Sequence, residues 1–278
     1  QFEICKLIVE NVDDKNSTRD DGVTPLFIAA QNGYFEICKL IIENVKDKNP
    51  ARNNDGETPL FMAAENSHFE ICKLIVENVE NKNPARNDGV TPLFVAAQNG
   101  HVEISKLIVE NVDDKNPACN DGETPLFIAA ENDHFEICKL IVENVENKNP
   151  ARNNGETPLH IAAYFGHFEI CKLIVENVDD KNPALDNGAT PLLMAAQKGH
   201  FEICKLIVEY VEIKNPSRND GLTSLFMAAQ NGHFEICKLI FENVEDKNPA
   251  CDDGATPLFM AAQEGHFQIC KVIMEKIE

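Results

Sequence analysis

The chain has little positive charge and no long apolar stretch. It carries 25 Lys and Arg residues against 46 Asp and Glu residues, which gives a formal net charge of −21. A polyphosphate would be repelled before contact, so we expect no nucleic-acid partner. No window is long and apolar enough to predict a membrane-spanning helix, and the sequence does not open with a signal-peptide pattern. We therefore expect no membrane association.

The chain also lacks a candidate catalytic group that occurs only once. A nucleophile beside a base in a concave pocket should be a single feature of a chain, whereas Cys and His recur here at a fixed interval. No glycine-rich phosphate loop and no zinc-protease helix interrupts the pattern. We expect no enzymatic activity and no cofactor.

An internal repeat dominates the sequence instead. A Thr-Pro-Leu triplet, with Ser for Pro once, begins at eight positions: Thr24, Thr58, Thr91, Thr124, Thr157, Thr190, Thr223 and Thr256. The spacing is 33 residues except for the first interval, which is 34 because the segment ending at Gly56 is one residue longer than that ending at Gly22. An extra residue is tolerated in a loop, so the repeats are expected to join at loops.

Each repeat has the pattern of two helices. Thr91 is a predicted N-cap followed by Pro92 at the first helical position, and this helix is expected to end near Gly100. In the second helix, apolar residues recur at helical spacing, as in Cys72, Ile75, Val76 and Val79. The Asn-Pro and Asp-Gly pairs of residues 83–89 predict a projecting hairpin-like loop, which we call a finger. The pattern therefore predicts an all-α repeat solenoid of antiparallel helix pairs, each stabilised by its neighbours.

Eight of the ten cysteines occupy one column of the repeat: Cys5, Cys38, Cys72, Cys138, Cys171, Cys204, Cys237 and Cys270. Stacked helices lie about 8 to 10 Å apart, whereas a disulfide requires Cα atoms roughly 4.4 to 6.8 Å apart. We expect reduced thiols and hence a cytoplasmic protein.

His68 and Cys72 are spaced for metal chelation. However, Cys72 belongs to the apolar stripe, and one repeat has Ser105 in place of the cysteine, so no metal site is predicted.

The order Asp-Gly-x-Thr-Pro-Leu-x-x-Ala-Ala, Gly-His-x-Glu and Lys-Leu-Ile resembles the ankyrin repeat over the whole chain. The resemblance implies a single domain, residues 1–278, in which a partial repeat at 1–18 precedes repeats at 19–51, 52–85, 86–118, 119–151, 152–184, 185–217, 218–250 and 251–278. It also implies that the first helices line a concave groove that binds a protein partner.

The chain departs from the family at two positions of the repeat. The glycine that usually closes the second helix is replaced by an Asn-Val pair such as Asn111-Val112. We expect the Asn to take the left-handed cap conformation and the Val to fill the core. The family's His after Thr-Pro-Leu occurs only as His160, and the other repeats have Phe or, once, Leu193.

One repeat differs from the others at the end of its first helix. Tyr164 and Phe165 replace polar pairs, which are Gln31-Asn32, Glu65-Asn66, Gln98-Asn99, Glu131-Asn132, Gln197-Lys198, Gln230-Asn231 and Gln263-Glu264. Aromatic residues at an exposed position favour a contact surface, although local repacking of a divergent repeat would give the same pattern. The resemblance places these residues in the groove, so the predicted partner-binding residues are His160, Tyr164, Phe165, Leu185 and Lys198.

Tyr210 and Ile213 form a second departure, at the end of a second helix. Lateral contact and neutral drift explain them equally well.

The sequence thus favours a noncatalytic interaction module that binds a protein partner bearing basic residues. The alternative is a structural element that stacks end to end as part of a longer array, because the repeats are uniform and the sequence begins within a repeat.

Overall fold

The computed structural model describes residues 15–277. Cys5 and most of the partial repeat predicted at 1–18 lie outside these residues. The described part contains sixteen helices, numbered in chain order: α1 Pro25–Gln31, α2 Phe35–Asn44, α3 Pro59–Glu65, α4 Phe69–Val76, α5 Pro92–Gln98, α6 Val102–Asn111, α7 Pro125–Glu131, α8 Phe135–Val142, α9 Pro158–Phe165, α10 Phe168–Asn177, α11 Pro191–Lys198, α12 Phe201–Tyr210, α13 Ser224–Gln230, α14 Phe234–Asn243, α15 Pro257–Gln263 and α16 Phe267–Ile277. The predicted all-α repeat fold is confirmed.

The helices group into two compact units, with the boundary between Glu146 and Asn147. In the first unit, α1, α3, α5 and α7 pack in succession, and α2, α4, α6 and α8 form the adjoining row. The second unit repeats this arrangement with α9, α11, α13 and α15 in one row and α10, α12, α14 and α16 in the other. Within each unit, a helix therefore contacts its antiparallel mate and the equivalent helices of neighbouring repeats.

The start of each first helix leaves few backbone donors without partners. Pro92 has no N–H at the first position, and the N–H of Phe94 donates to the hydroxyl of Thr91 at 3.2 Å. The N–H of Leu93 donates to the side chain of Asn83, at 2.8 Å, across the finger. The predicted Thr cap is confirmed, whereas the bond from Asn83 was not foreseen; both recur along the chain.

The cysteine column lies in the core. Cys72 and Cys204 are fully buried, and burial raises the pKa of each thiol to about 12. All nine cysteines of the described residues are free thiols. At neutral pH the buried thiols are therefore protonated and serve as small apolar groups.

The expected left-handed cap at the second-helix Asn residues is wrong. Among described residues other than glycine, only Ser67 and Asp133 have positive φ. The side-chain amide of Asn111 instead donates to the carbonyl of Leu107 at 2.9 Å, which satisfies a carbonyl of the last turn. Val112 follows in extended conformation and packs partly buried against the core, as expected.

The fingers pair along the chain. In one finger the N–H of Arg86 donates to the carbonyl of Val90 at 2.8 Å. The N–H of Asn87 donates to the backbone carbonyl of Asp55, in the preceding finger, at 2.8 Å. The Arg86 guanidinium lies 5.1 Å from the centroid of the Phe61 ring and 3.2 Å from Glu57. The arginine column thus covers apolar side chains of the preceding repeat.

Ser224→Pro is expected to stabilise the protein by about 1 kcal/mol. Ser224 is fully buried and its hydroxyl has no hydrogen-bond partner in the described structure, whereas the equivalent residue in the seven other repeats is Pro. Proline removes the buried hydroxyl and restricts the unfolded chain. Urea unfolding measures the change, with Ser224→Ala as the control that removes only the hydroxyl. A lower unfolding midpoint for Ser224→Pro than for the parent would contradict this account.

Candidate protein-binding site

Helices α9 and α11 end differently from the other first helices. Each has eight residues, and each is capped by a left-handed glycine, Gly166 with φ 87° and Gly199 with φ 84°. In the neighbouring repeat α13 has seven residues and is capped by Asn231, whose side chain donates to the carbonyl of Met227 at 2.8 Å. Phe165 and Lys198 have no such amide and continue the helix for one residue more.

The backbone beneath Tyr164 is held by the next repeat. His200 Nε2 donates to the Tyr164 carbonyl at 3.1 Å. A Cβ atom on Gly166 would lie 2.5 Å from Cε1 of the same ring, so only glycine fits there without a shift. The same His-to-carbonyl bond recurs in most repeats, which gives this histidine column a structural role.

Four side chains form a cluster that we call the aromatic patch: Tyr164, Phe165, His167 and Lys198. The Tyr164 and Phe165 rings meet edge to face with centroids 5.1 Å apart. Phe165 stacks on His167 at 5.9 Å. Lys198 Nζ lies 4.3 Å from the Tyr164 ring centroid, a cation–π contact. The side chains of neighbouring repeats thus converge on one surface.

The aromatic patch faces solvent in part. Phe165 is 47% exposed, Lys198 is exposed and Tyr164 is half-buried. The structure therefore brings together three of the five predicted partner-binding residues. His167 was missed because a histidine occupies its position in most repeats, and only its neighbour Phe165 sets it apart.

The expectation that His160 shares this exposed surface is wrong. His160 is fully buried, and its Nδ1 lies 2.9 Å from the hydroxyl and 3.3 Å from the N–H of Thr157. It therefore closes a capping box at the start of α9. Its position one turn before Tyr164 is correct, but at the third helical residue the side chain turns back to the cap.

Burial also determines the charge of His160. Its Nε2 is buried without a hydrogen-bond partner in the described chain. Loss of solvation lowers the pKa of His160 to about 4, and nearby backbone carbonyls and the charge of Glu156 offset this only in part. The imidazole is neutral at physiological pH.

Leu185 lies in a finger and is half-buried. A Cβ atom on Gly155 would lie 3.6 Å from Leu185 Cδ2, which places Leu185 against the preceding finger. The offset of 25 residues that sets Arg86 over Phe61 puts Leu185 in register with His160. Leu185 thus packs against the preceding finger, and its part in partner binding stays a prediction.

Tyr210 and Ile213 lie together at the end of α12, where both line a surface cleft of about 370 Å³. Tyr210 is 48% exposed and Ile213 is 70% exposed. Lys181 Nζ lies 5.5 Å from the Tyr210 ring centroid.

Residues 15–277 place no three His, Cys, Asp or Glu side chains together for metal binding. No helix within the same residues is long and apolar enough to cross a membrane.

A family model of ankyrin repeats, described as three copies, matches the sequence that forms these helix pairs and fingers. That model matches at residues 1–88, 77–152, 144–217 and 210–278, which together span the chain. The chain belongs to the ankyrin-repeat family. No curated protein matches it. Ankyrin repeats generally mediate protein–protein interactions and are typically noncatalytic. In this ankyrin protein, the aromatic patch lies where the first helices of two repeats end.

Proposed function

We propose that this chain is a noncatalytic interaction module whose aromatic patch binds a protein partner that carries basic residues. The observation that carries the proposal is the convergence of Tyr164, Phe165 and Lys198 on one partly exposed surface. Tyr is enriched among residues that dominate binding energy. The backbone under Tyr164 is fixed by His200, so little ordering cost remains on binding. The surface belongs to the first-helix row, which corresponds to the concave groove of the family.

Charge around the aromatic patch supports a basic partner. The second helices that follow α9, α11 and α13 each have an exposed Glu in the first turn: Glu169, Glu202 and Glu235. Successive helices lie about 10 Å apart, so these carboxylates form a column beside the patch. Lys198, the cation of the patch, rests on the Tyr164 ring. The acidic column would steer a basic partner and the rings would supply the desolvated contact.

End-to-end stacking into a longer array remains a prediction. We place partner binding ahead of it because the aromatic patch interrupts an otherwise uniform surface in one repeat, whereas stacking needs no such departure. The free thiols of residues 15–277 fit a reducing compartment, so we propose a cytoplasmic location.

Replacing the two aromatic residues with those of a sibling repeat, Tyr164→Gln and Phe165→Asn, is expected to weaken partner binding roughly tenfold or more. Gln98-Asn99 and Gln230-Asn231 occupy these positions elsewhere, so the fold should be retained. Binders are selected from a displayed library of basic peptides against the native protein. Their affinities for the native and double-variant proteins are then compared by calorimetry.

The matched control is Tyr34→His, because Tyr34 is a 54% exposed aromatic residue at a position where other repeats have His. The proposal requires that Tyr34→His leave the affinities unchanged. Binders that tolerate the Tyr164 and Phe165 replacements would show that the aromatic patch is not the binding surface.

A further inference from the structure

The cleft at the end of α12 has a sibling in the first unit. The sibling cleft, of about 440 Å³, is lined by residues that include Lys82, Asn111 and Asp114. Tyr210 occupies the position of Asn111, and Ile213 that of Asp114. The two clefts are therefore built from equivalent positions of the repeat, and Tyr210 and Ile213 are the two replacements of a polar residue by an aromatic or aliphatic one.

Tyr210 replaces a residue that bonds locally. Asn111 donates to the carbonyl four residues earlier and accepts from Lys82 at 3.3 Å. At the equivalent place Lys181 instead lies over the face of the Tyr210 ring. The replacement gives up the amide bonds and leaves about half of the ring exposed.

Ile213 also gives up a local bond. Asp114 accepts from the N–H of Asn116 at 3.1 Å, and Asp180 makes the same turn bond to Asn182. Ile213 has no acceptor, so this loop loses the bond while 70% of an apolar side chain faces solvent. Two adjacent replacements thus weaken local structure and create one apolar surface.

The cleft around this surface is acidic. Asp179, Asp180 and Glu212 line it and are exposed. Its cation, Lys181, donates to the carbonyl of Val175 at 2.7 Å at the end of α10, so its charge is directed to the helix C-terminus. A segment that enters the cleft would therefore contact the apolar side chains of Tyr210 and Ile213 and would lie near three carboxylates.

We propose that the cleft of Tyr210 and Ile213 is a second docking site that takes a short protein segment with an apolar anchor flanked by Lys or Arg. The anchor packs on the two side chains, and the flanking cations face Asp179, Asp180 and Glu212. The cleft lies at the opposite end of the helix pair from the aromatic patch, because a ten-residue helix such as α12 is about 15 Å long. The two surfaces are therefore separate.

The three tyrosines of the sequence allow a direct test, since they are Tyr34, Tyr164 and Tyr210. Protein labelled with 3-fluorotyrosine gives one ¹⁹F signal for each, assigned with Tyr→Phe variants. The probe is the acetylated peptide amide Lys-Lys-Leu-Phe-Lys-Lys, and its charge-reversed form has Glu in place of Lys. We expect the Lys peptide to shift the Tyr210 signal in a saturable titration, and the Glu peptide to leave it in place.

Ile213→Asp restores the residue of the sibling cleft. The affinity for the Lys peptide, measured from the titration of the Tyr210 signal, should fall by roughly tenfold. The reciprocal variant Asn111→Tyr with Asp114→Ile should give a new ¹⁹F signal that responds to the same peptide. An unmoved Tyr210 signal, or unchanged affinity in Ile213→Asp, would overturn the proposal. A Tyr210 signal that moves with protein concentration alone would assign the cleft to self-association and overturn it too. The Tyr164 signal reports the aromatic patch separately, so failure of one site is distinguishable from failure of the other.

Discussion

Gly89→Ala is expected to destabilise the protein by about 3 kcal/mol, whereas Gly254→Ala should cost only about 1 kcal/mol. Both glycines sit at the same finger position with positive φ, 85° and 83°. A Cβ atom on Gly89 would lie 2.8 Å from the Cα of Cys119 and 2.9 Å from the N of Asn120, both backbone atoms of the next finger. A Cβ atom on Gly254 would meet no described atom within 4 Å.

The pair separates two costs that usually occur together. The loss of stability in Gly254→Ala measures the strain of alanine in the left-handed backbone conformation. The additional loss in Gly89→Ala measures the cost of pushing two fingers apart. That separation should break the bond from the Asn120 N–H to the Asp88 carbonyl, 2.9 Å long. Urea unfolding gives the stabilities, and hydrogen exchange at Asn120 reports the bond. Equal losses in the two variants would show that finger contacts contribute little.

Lowering the pH should destabilise the native protein more than the His160→Phe variant. The extra loss of unfolding free energy should reach roughly 3 kcal/mol once the pH is below the pKa of His160 in both the unfolded and the folded chain. The pKa of His160 falls from 6.5 to about 4 in the folded chain because the ring is buried. Between these values the unfolded chain binds a proton that the folded chain does not. The contribution is therefore complete above pH 6.5, declines as the pH falls, and is lost below about pH 4.

Phe is the sibling residue at this position, as in Phe127 and Phe226, so the variant should fold. The difference in unfolding free energy between native and variant proteins, measured at pH 7 and pH 4, cancels the titration of carboxylates that the two share. His160→Leu, which copies the sibling residue Leu193, provides a second variant with a smaller side chain. A difference that does not change with pH would mean that folding leaves the pKa of His160 unchanged, which would contradict this account.

The repeating features of the fold were predictable because each is local or periodic. Thr91 and Pro92 mark a helix start by their own chemistry, and the stripe through Cys72 and Ile75 predicts the buried face of a helix. The contrast of Tyr164 and Phe165 with polar siblings located the aromatic patch. Lys198 was found by the same comparison of columns.

The features that sequence reasoning missed depend on where a side chain turns. His160 lies on the helical face of Tyr164 by spacing, yet its ring folds back on Thr157. The second-helix Asn was given a cap conformation by analogy with glycine, but its amide reaches a carbonyl in the preceding turn. The Asn that accepts from Leu93 recurs in every repeat, but its spacing does not show that its side chain reaches a helix start across the finger. Spacing along the chain does not determine such contacts.

That bond at the base of each finger has a practical consequence for engineering. The side chain of Asn83 accepts a hydrogen bond from the start of the following helix, ten residues away. Asn49 makes the same bond across eleven residues, where the finger is one residue longer. This hydrogen bond holds the two ends of the finger together while the number of residues between them varies. Foreign peptides could therefore be grafted into a finger tip and displayed without changing the register of the flanking helices.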